Sequence, residues 1–513
     1  MAEGNIVGPA QVPTSHTWQP FAQLSSMPHK RSLFAATCWR YGLAIAASRT
    51  NKTQIDRGNT GAAVARIVDS VMLRRENTEA MTSLRFMDTP AGGQTRLEPC
   101  VGMVRRRQVL YVEGYDPRGA EAYYQLFERS CDRFRKAWSM EQTLDPFEID
   151  SDDFAHWSLS TKSASWQVAT RYDFLRLERH IRADMSRPTA QEIVRGLGWL
   201  FDDLVSGTQW RIFRSSWRFG VHLLSIQVLL VIWLALAAAI GVAAALVVSS
   251  LGQPLMLGVV AGLAAATAAL FALKPLAHRW FVGQITSCWA TLRRFGRSQP
   301  TWLDHAIEAG ARRLVTAGAA NDTDELVLVG HSTGSVIAAA IMARALALDP
   351  DLGRRRARLV LLTLGAVMPA VALHPAANRM RDIIKRLASE PTVAWIECQS
   401  RKDVMNFEGF DPVEGVGVQV EKRHNPLLWS VRFKEMVSPK YYQRLRWNFF
   451  RMHFQYINAG DRRTAHDYML LIAGPVALAD WARHHEQLTL SFVLGDMTQS
   501  KCTSMDAGAP KRQ

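Results

Sequence analysis

The chain has 513 residues, 48% of them hydrophobic, and 61 Lys and Arg against 46 Asp and Glu, a formal net charge of +15. That length holds one large domain with insertions or two to three ordinary ones, and the apolar content excludes a disordered or fibrous protein. The basic balance suits nucleic acid, an anionic membrane surface or an acidic partner, while six scattered cysteines (Cys38, Cys100, Cys131, Cys288, Cys398, Cys502) without C-x-x-C spacing suggest reduced thiols rather than a zinc site or a disulfide framework.

Residues 1–100 are rich in Thr, Arg, Ala and Gly and keep no period for long, which predicts a poorly ordered N-terminal region. Within it, residues 32–48 follow His29, Lys30 and Arg31 as a modest apolar stretch, a faint signal-sequence pattern that Trp39, Arg40 and Tyr41 interrupt. A start of the folded part near Met103 is a second expectation for this end. Order begins at Gln108. Val109-Leu110-Tyr111-Val112 predicts a buried strand, Glu113 to Gly119 a glycine loop, and residues 120–138 an amphipathic helix. A loop so placed can offer a backbone amide, here that of Tyr115, to an oxyanion; the alternative is an ordinary turn with Pro117 starting the helix. A strand is expected over 166–174 and a helix over 189–205.

Composition then changes sharply. Residues 221–248 hold no Asp, Glu, Lys or Arg, nor do residues 255–273, and each run meets the requirement of about 20 residues for crossing a bilayer. Residues 249–254 make the turn of a predicted transmembrane hairpin. Gly241, Gly258 and Gly262 with nearby alanines suit close helix packing in lipid; a pair of buried core helices is the alternative. Arg211, Arg214 and Arg218 precede the first span and Lys274, Arg279, Arg293, Arg294 and Arg297 follow the second, which predicts that both ends are cytoplasmic. Trp210, Trp217 and Trp280 are expected as interfacial anchors.

A helix over 301–317 leads to the stretch that concentrates the chemistry. Leu326 to Val329 is a short apolar strand pattern, Gly330-His331-Ser332-Thr333-Gly334 a tight turn of the form G-x-S-x-G, and Val336 to Leu346 a helix-forming run. Such a turn lifts a serine hydroxyl above a sheet edge, and a Cβ at either flanking glycine would crowd the strained backbone. The alternative is a structural Gly/Ser turn between a core strand and a core helix. Beyond it, a strand over 358–365, a helix over 378–388 and a strand over 392–397 continue the alternation that implies a mainly parallel sheet with helices on both faces. The apolar region 415–439 either caps a cleft or packs on the domain. A strand is expected over 447–454 and a helix over 464–472; the tail from residue 496 reads as mobile.

A serine hydroxyl needs a base and a group that orients the base. Asp403, just past the 392–397 strand, is the expected acid, with Asp411 as competitor. His453, at the end of the 447–454 pattern, is the expected base, with His466 as competitor. His331 adjoins Ser332, but its side chain is expected on the other side of the elbow. The amides of Thr333 and Tyr115 would form the oxyanion hole. No metal or cofactor is expected.

These residues resemble the α/β-hydrolase superfamily, and more narrowly its bacterial membrane-associated lipase- and esterase-like members. The resemblance spans about residues 108–474: Gly330 to Gly334 is similar to the lipase elbow, Gly114-Tyr115 takes the place of a His-Gly oxyanion loop with Glu113 where many members have histidine, and His453-Phe454-Gln455-Tyr456 looks like an H-x-x-Y ending. It implies an α/β fold in which residues 101–215 and 281–495 make the hydrolase domain around a hairpin at 216–280. The expected function is a serine hydrolase in the bacterial inner membrane, facing the cytoplasm and cleaving a hydrophobic, lipid-like carboxylic ester without a cofactor. An inactive hydrolase-fold scaffold or binding protein is the alternative. A nucleic-acid binder rests on charge alone, and no binding motif appears.

Overall fold

The computed structural model describes residues 103–484. The expectations for residues 1–100 and for the tail from residue 496 lie outside the described residues, as do Cys38, Cys100 and Cys502.

The chain enters through β1 (Arg106–Val112) and α1 (Ala120–Trp138), then makes β2 (Glu141–Leu144), β3 (Glu148–Ile149), β4 (Phe154–Lys162) and β5 (Gln167–Leu175). Helices follow without a strand: α2 (Glu178–Met185), α3 (Thr189–Val205), α4 (Thr208–Ser215), the long pair α5 (Trp217–Ser250) and α6 (Leu255–Arg279), then α7 (Val282–Gly296) and α8 (Leu303–Ala320). β6 (Glu325–His331), α9 (Gly334–Leu348), β7 (Arg358–Leu364), α10 (Met368–Ala372), α11 (Asn378–Ser389) and β8 (Val393–Gln399) restore the alternation. The last elements are β9 (Leu427–Ser430), α12 (Phe433–Met436), α13 (Pro439–Leu445), α14 (Phe449–His453), α15 (Tyr468–Ala473) and α16 (Leu478–His484).

All nine described strands belong to one sheet in the order β2-β4-β5-β1-β6-β7-β8-β9, with β3 beside β4. The six from β5 to β9 run parallel; β4 is antiparallel to β5, and β2 and β3 to β4. Side chains of a strand alternate between faces, so each central strand feeds two cores. Leu110, Leu326, Leu328, Leu359, Leu361 and Trp395 join one apolar cluster with α7, α8, α9 and α11. Val109, Tyr111, Val327, Val329, Val360 and Leu362 join another with α1 and α15. Every residue of β6 is buried, as expected of a parallel strand covered on both faces, and this is why its sequence reads as an unbroken apolar run.

Two expectations fail locally. Residues 447–454 are not a strand: Asn448 Oδ1 accepts the N–H of Arg451 at 2.9 Å and so caps α14, and a 3₁₀ turn over Phe454–Ile457 follows. The sheet edge is taken instead by β9, which lies inside the 415–439 region. The expected helix over 464–472 begins only at Tyr468, where Asp467 caps it through the Met469 N–H at 3.0 Å.

α5 and α6 are long and apolar enough to cross a membrane, with mean hydropathies of 2.7 and 2.2 in windows of which only 17% is buried. They pack along each other through small residues: a Cβ on Gly241 would lie 2.7 Å from the Gly262 carbonyl oxygen, and one on Gly262 2.9 Å from that of Gly241. The first turns of α5 behave differently. Phe219, Leu223 and Ile226 are buried in the core of the α/β domain, so the hairpin grows out of the domain.

Candidate active site

In strand order the chain lays β5 on one side of β1 and β6 on the other. Loops that leave the carboxyl ends of two such strands toward opposite faces open a crevice between them. The loop after β1 carries Gly114 and Tyr115, and the turn after β6 carries Ser332.

Ser332 has φ +57°, the left-handed region, which non-glycine residues seldom occupy. Its N–H donates to Leu364 O at 3.0 Å, and its carbonyl accepts the Ser335 N–H at 3.0 Å and the Ser335 hydroxyl at 2.6 Å. The flanking glycines are required by space. A Cβ on Gly330 would come within 2.8 Å of Gly334 O and of Ser335 Cα, and one on Gly334 would run into the carbonyls of Val112 and Glu113. Ser332 and Thr333 remain half-buried while the rest of the turn is closed.

Asp403 and His453 meet: His453 Nδ1 lies 2.7 Å from Asp403 Oδ2, with both side chains buried. Asp403 Oδ1 accepts the Met405 N–H at 2.9 Å, which leaves Oδ2 for the imidazole. His453 Nε2 makes no hydrogen bond to any described residue. The competitors are committed elsewhere. Asp411 accepts the N–H of Val413 at 2.8 Å and pairs with Arg423 at 2.7 Å, and the His466 ring packs on Trp429, centroids 4.6 Å apart.

His331 departs from expectation. Its ring lies 4.7 Å from that of His453, on the side of the expected base, and its Nε2 donates to the His453 carbonyl at 3.2 Å. α14 is the reason, since a helix rather than a strand carries His453 over the end of β6. Burial, then the neighbouring His453, push His331 well below the usual imidazole range. It is a neutral donor that holds the backbone of His453.

The expected oxyanion loop is tied down. The Tyr115 N–H donates to Thr333 Oγ1 at 2.7 Å, its carbonyl accepts Gln284 Nε2 at 2.7 Å, and its hydroxyl donates to Asp184 Oδ2 at 2.7 Å. The Tyr115 amide is therefore engaged, not open. Burial pushes Asp184 up, but hydrogen bonds from Arg195 and Tyr115 outweigh it and hold the carboxyl below its usual range. Glu113 is buried, and desolvation, then Asp116 and Glu178, push its carboxyl well above the usual range. A narrow apolar recess lies beside Thr333, lined by Leu177, Ile181, Cys288, Leu292, Trp302 and Ile337.

Sequence reasoning missed the partners that come from the hairpin. At its entry, Ser216 Oγ donates to Asn406 O at 3.3 Å, Arg218 to Arg401 O at 3.1 Å, and the Phe219 ring meets Phe407 at 4.8 Å, all on the loop that carries Asp403. At its exit, the Phe281 ring lies 4.5 Å from Phe450 of α14. Gly365 was also missed. It has φ +56°, and a Cβ there would lie 2.6 Å from the Tyr456 ring and 3.0 Å from His453 Cε1; a glycine directly after a strand pattern was its one local signal. Among the described residues, no cluster of His, Cys, Asp and Glu is suited to a metal ion.

Comparison of the chain with protein-family models, with curated proteins and with solved structures finds no significant match.

Proposed function

We propose that the chain is a serine hydrolase of α/β-hydrolase fold, anchored by α5 and α6 in a bacterial inner membrane with its catalytic domain in the cytoplasm, and that it cleaves a lipid-like carboxylic ester. One observation carries the reading. A serine with φ +57° at the tip of a buried parallel strand shares its end of the sheet with a buried carboxylate–imidazole pair 2.7 Å apart. The basic flanks of the hairpin support the orientation. Lipid as substrate is supported by contacts from both ends of the hairpin to the elements that carry Asp403 and His453.

In this mechanism His453 Nε2 takes the proton of Ser332 Oγ as that oxygen attacks the acyl carbon, and Asp403 orients the ring through Nδ1–H and stabilises the imidazolium. The Thr333 N–H holds the tetrahedral oxyanion. The Tyr115 N–H joins it only after Thr333 Oγ1 lets go. Collapse returns the proton from His453 to the departing alcohol and leaves an acyl group on Ser332, which water, deprotonated by the same imidazole, removes. Turnover requires Ser332 Oγ to come within hydrogen-bond reach of Nε2.

The engaged Tyr115 amide favours a second reading, a membrane-anchored binding protein that keeps the fold without the activity. A fluorophosphonate probe separates the two. The hydrolase is labelled, and Ser332→Ala abolishes labelling. A folded wild-type chain that resists the probe is the binding protein.

A further inference from the structure

We propose that α3 lies in the surface of the bilayer that α5 and α6 cross, its apolar stripe facing the boundary between headgroups and acyl chains. The proposal rests on the membrane reading above and adds an in-plane helix to the two spans.

α3 is built with its charges inward. Glu192 meets His278 at 3.1 Å and Lys274 at 3.3 Å, and Arg195 meets Asp184 at 2.8 Å. Asp202 pairs with Arg293 and Arg297, and Asp203 accepts Gln227 Nε2 at 2.9 Å. The outward face carries Val194, Leu197, Phe201, Leu204 and Val205, exposed by 69%, 42%, 69%, 61% and 69%. Spacings of three, four and three place Val194, Leu197, Phe201 and Leu204 on a single stripe, and Val205, eleven residues after Val194, falls at its edge. A contiguous apolar face rarely stands in water, and a helix with one apolar and one charged face is suited to lie in the plane of a membrane interface.

The hairpin indicates what covers this face. α3 is fastened to α5 at Gln227 and to α6 at Lys274, the first charged residue after the apolar run of α6. Gly196 lets the helices approach, since a Cβ there would lie 2.7 Å from Leu230 Cδ2. α3 thus sits at the level where the spans leave lipid. Trp210 and Trp217, 67% and 56% exposed, stand on the next two helices in the chain, the second at the start of the first span, and tryptophan is enriched at the headgroup level. The inward face reaches the site, because Arg195 and the Tyr115 hydroxyl both bind Asp184.

The test uses the full chain with Cys38, Cys100 and Cys502 replaced by serine, Cys131, Cys288 and Cys398 being buried. Single nitroxides are attached through Leu197→Cys, Phe201→Cys or Leu204→Cys, with Leu246→Cys on α5 and Glu121→Cys on α1 as controls. In phosphatidylethanolamine–phosphatidylglycerol vesicles the three α3 labels are expected to favour collisions with oxygen over a water-soluble nickel chelate several-fold more than Glu121→Cys, at a depth shallower than Leu246→Cys. Nickel accessibility equal to that of Glu121→Cys overturns the proposal. So does dipolar coupling between copies, which makes a second chain the cover, and so does shielding from both probes, which makes another part of this chain the cover. If Leu246→Cys is also in water, the membrane reading itself falls; if only the α3 labels are, that reading stands and the in-plane helix does not.

Discussion

Ser332 holds a backbone conformation that costs a non-glycine residue about 1–3 kcal/mol and survives only where its surroundings over-determine it. Here the Leu364 carbonyl, Ser335 and two glycine-sized gaps do so. The same reasoning applies to the pair beside it. Asp403→Asn keeps the shape but loses the charge that orients Nδ1–H, so kcat for an ester is expected to fall roughly 10³–10⁴-fold. Asp411→Asn, by contrast, keeps activity, since Asp411 serves a turn and Arg423. Steady-state hydrolysis of a soluble ester checks both. Gly365→Val would push on His453 and Tyr456, and in the proposed hydrolase a displacement near 1 Å of the base is worth on the order of a hundredfold in rate. The same assay, with a melting curve to exclude unfolding, reads it.

Among the elements, the two helices of the hairpin pack through absent side chains. Gly241→Leu would place carbon against Gly262 O and within 2.8 Å of Ala266 Cβ, so α5 and α6 must separate. The expected result is a lower melting temperature in detergent and faster proteolysis at the 251–254 turn. Leu246→Ala, at a position 64% exposed on α5, is expected to change neither. α14 carries a different lesson. Phe449, Phe450 and Met452 fit an apolar strand pattern, yet the Asn448 cap makes them a helical turn. Read alone the segment is ambiguous, and the neighbourhood resolves it: β9 already fills the sheet edge and Phe281 receives Phe450.

Over the whole molecule, buried acids set how stability follows pH. Burial pushes Glu397 up to about 7 against hydrogen bonds from Thr363, Gln399 and Trp395, and pushes Asp467 up to about 7 against backbone N–H groups of Gly460, Met469 and Leu470. Both carboxyls are raised above their unfolded values of about 4, so the folded chain binds more protons between about pH 4 and pH 7. The stability they contribute is complete below that window and is lost as pH rises through about 7. Glu397→Gln is expected to flatten part of this decline, and melting temperatures of the detergent-solubilised protein from pH 5 to 8 measure it. An unchanged slope would show that Glu397 titrates normally. The basic excess of the chain is also legible at this scale, for Arg293 and Arg297, counted among the flanking charges of the hairpin, pair with Asp202 on α3 and are structural as well.

By itself the sequence determined the mixed α/β class, the two apolar helices and the strand–turn–helix around Ser332, because periodicity, run length and glycine placement belong to contiguous residues. It placed α1, α3, β7 and β8 within a residue or two for the same reason. β2 to β4 were not legible, since half of an antiparallel edge faces solvent and a strand such as β4 mixes Ser and Thr with its apolar residues. Only the tertiary structure decided that Asp403 meets His453, fifty positions away, rather than His466. It alone turned His331 toward His453, engaged the Tyr115 amide with Thr333, and set the root of the hairpin against the loop of Asp403 and against α14. Each of these depends on which distant surfaces the sheet brings together, and no local pattern encodes such a meeting.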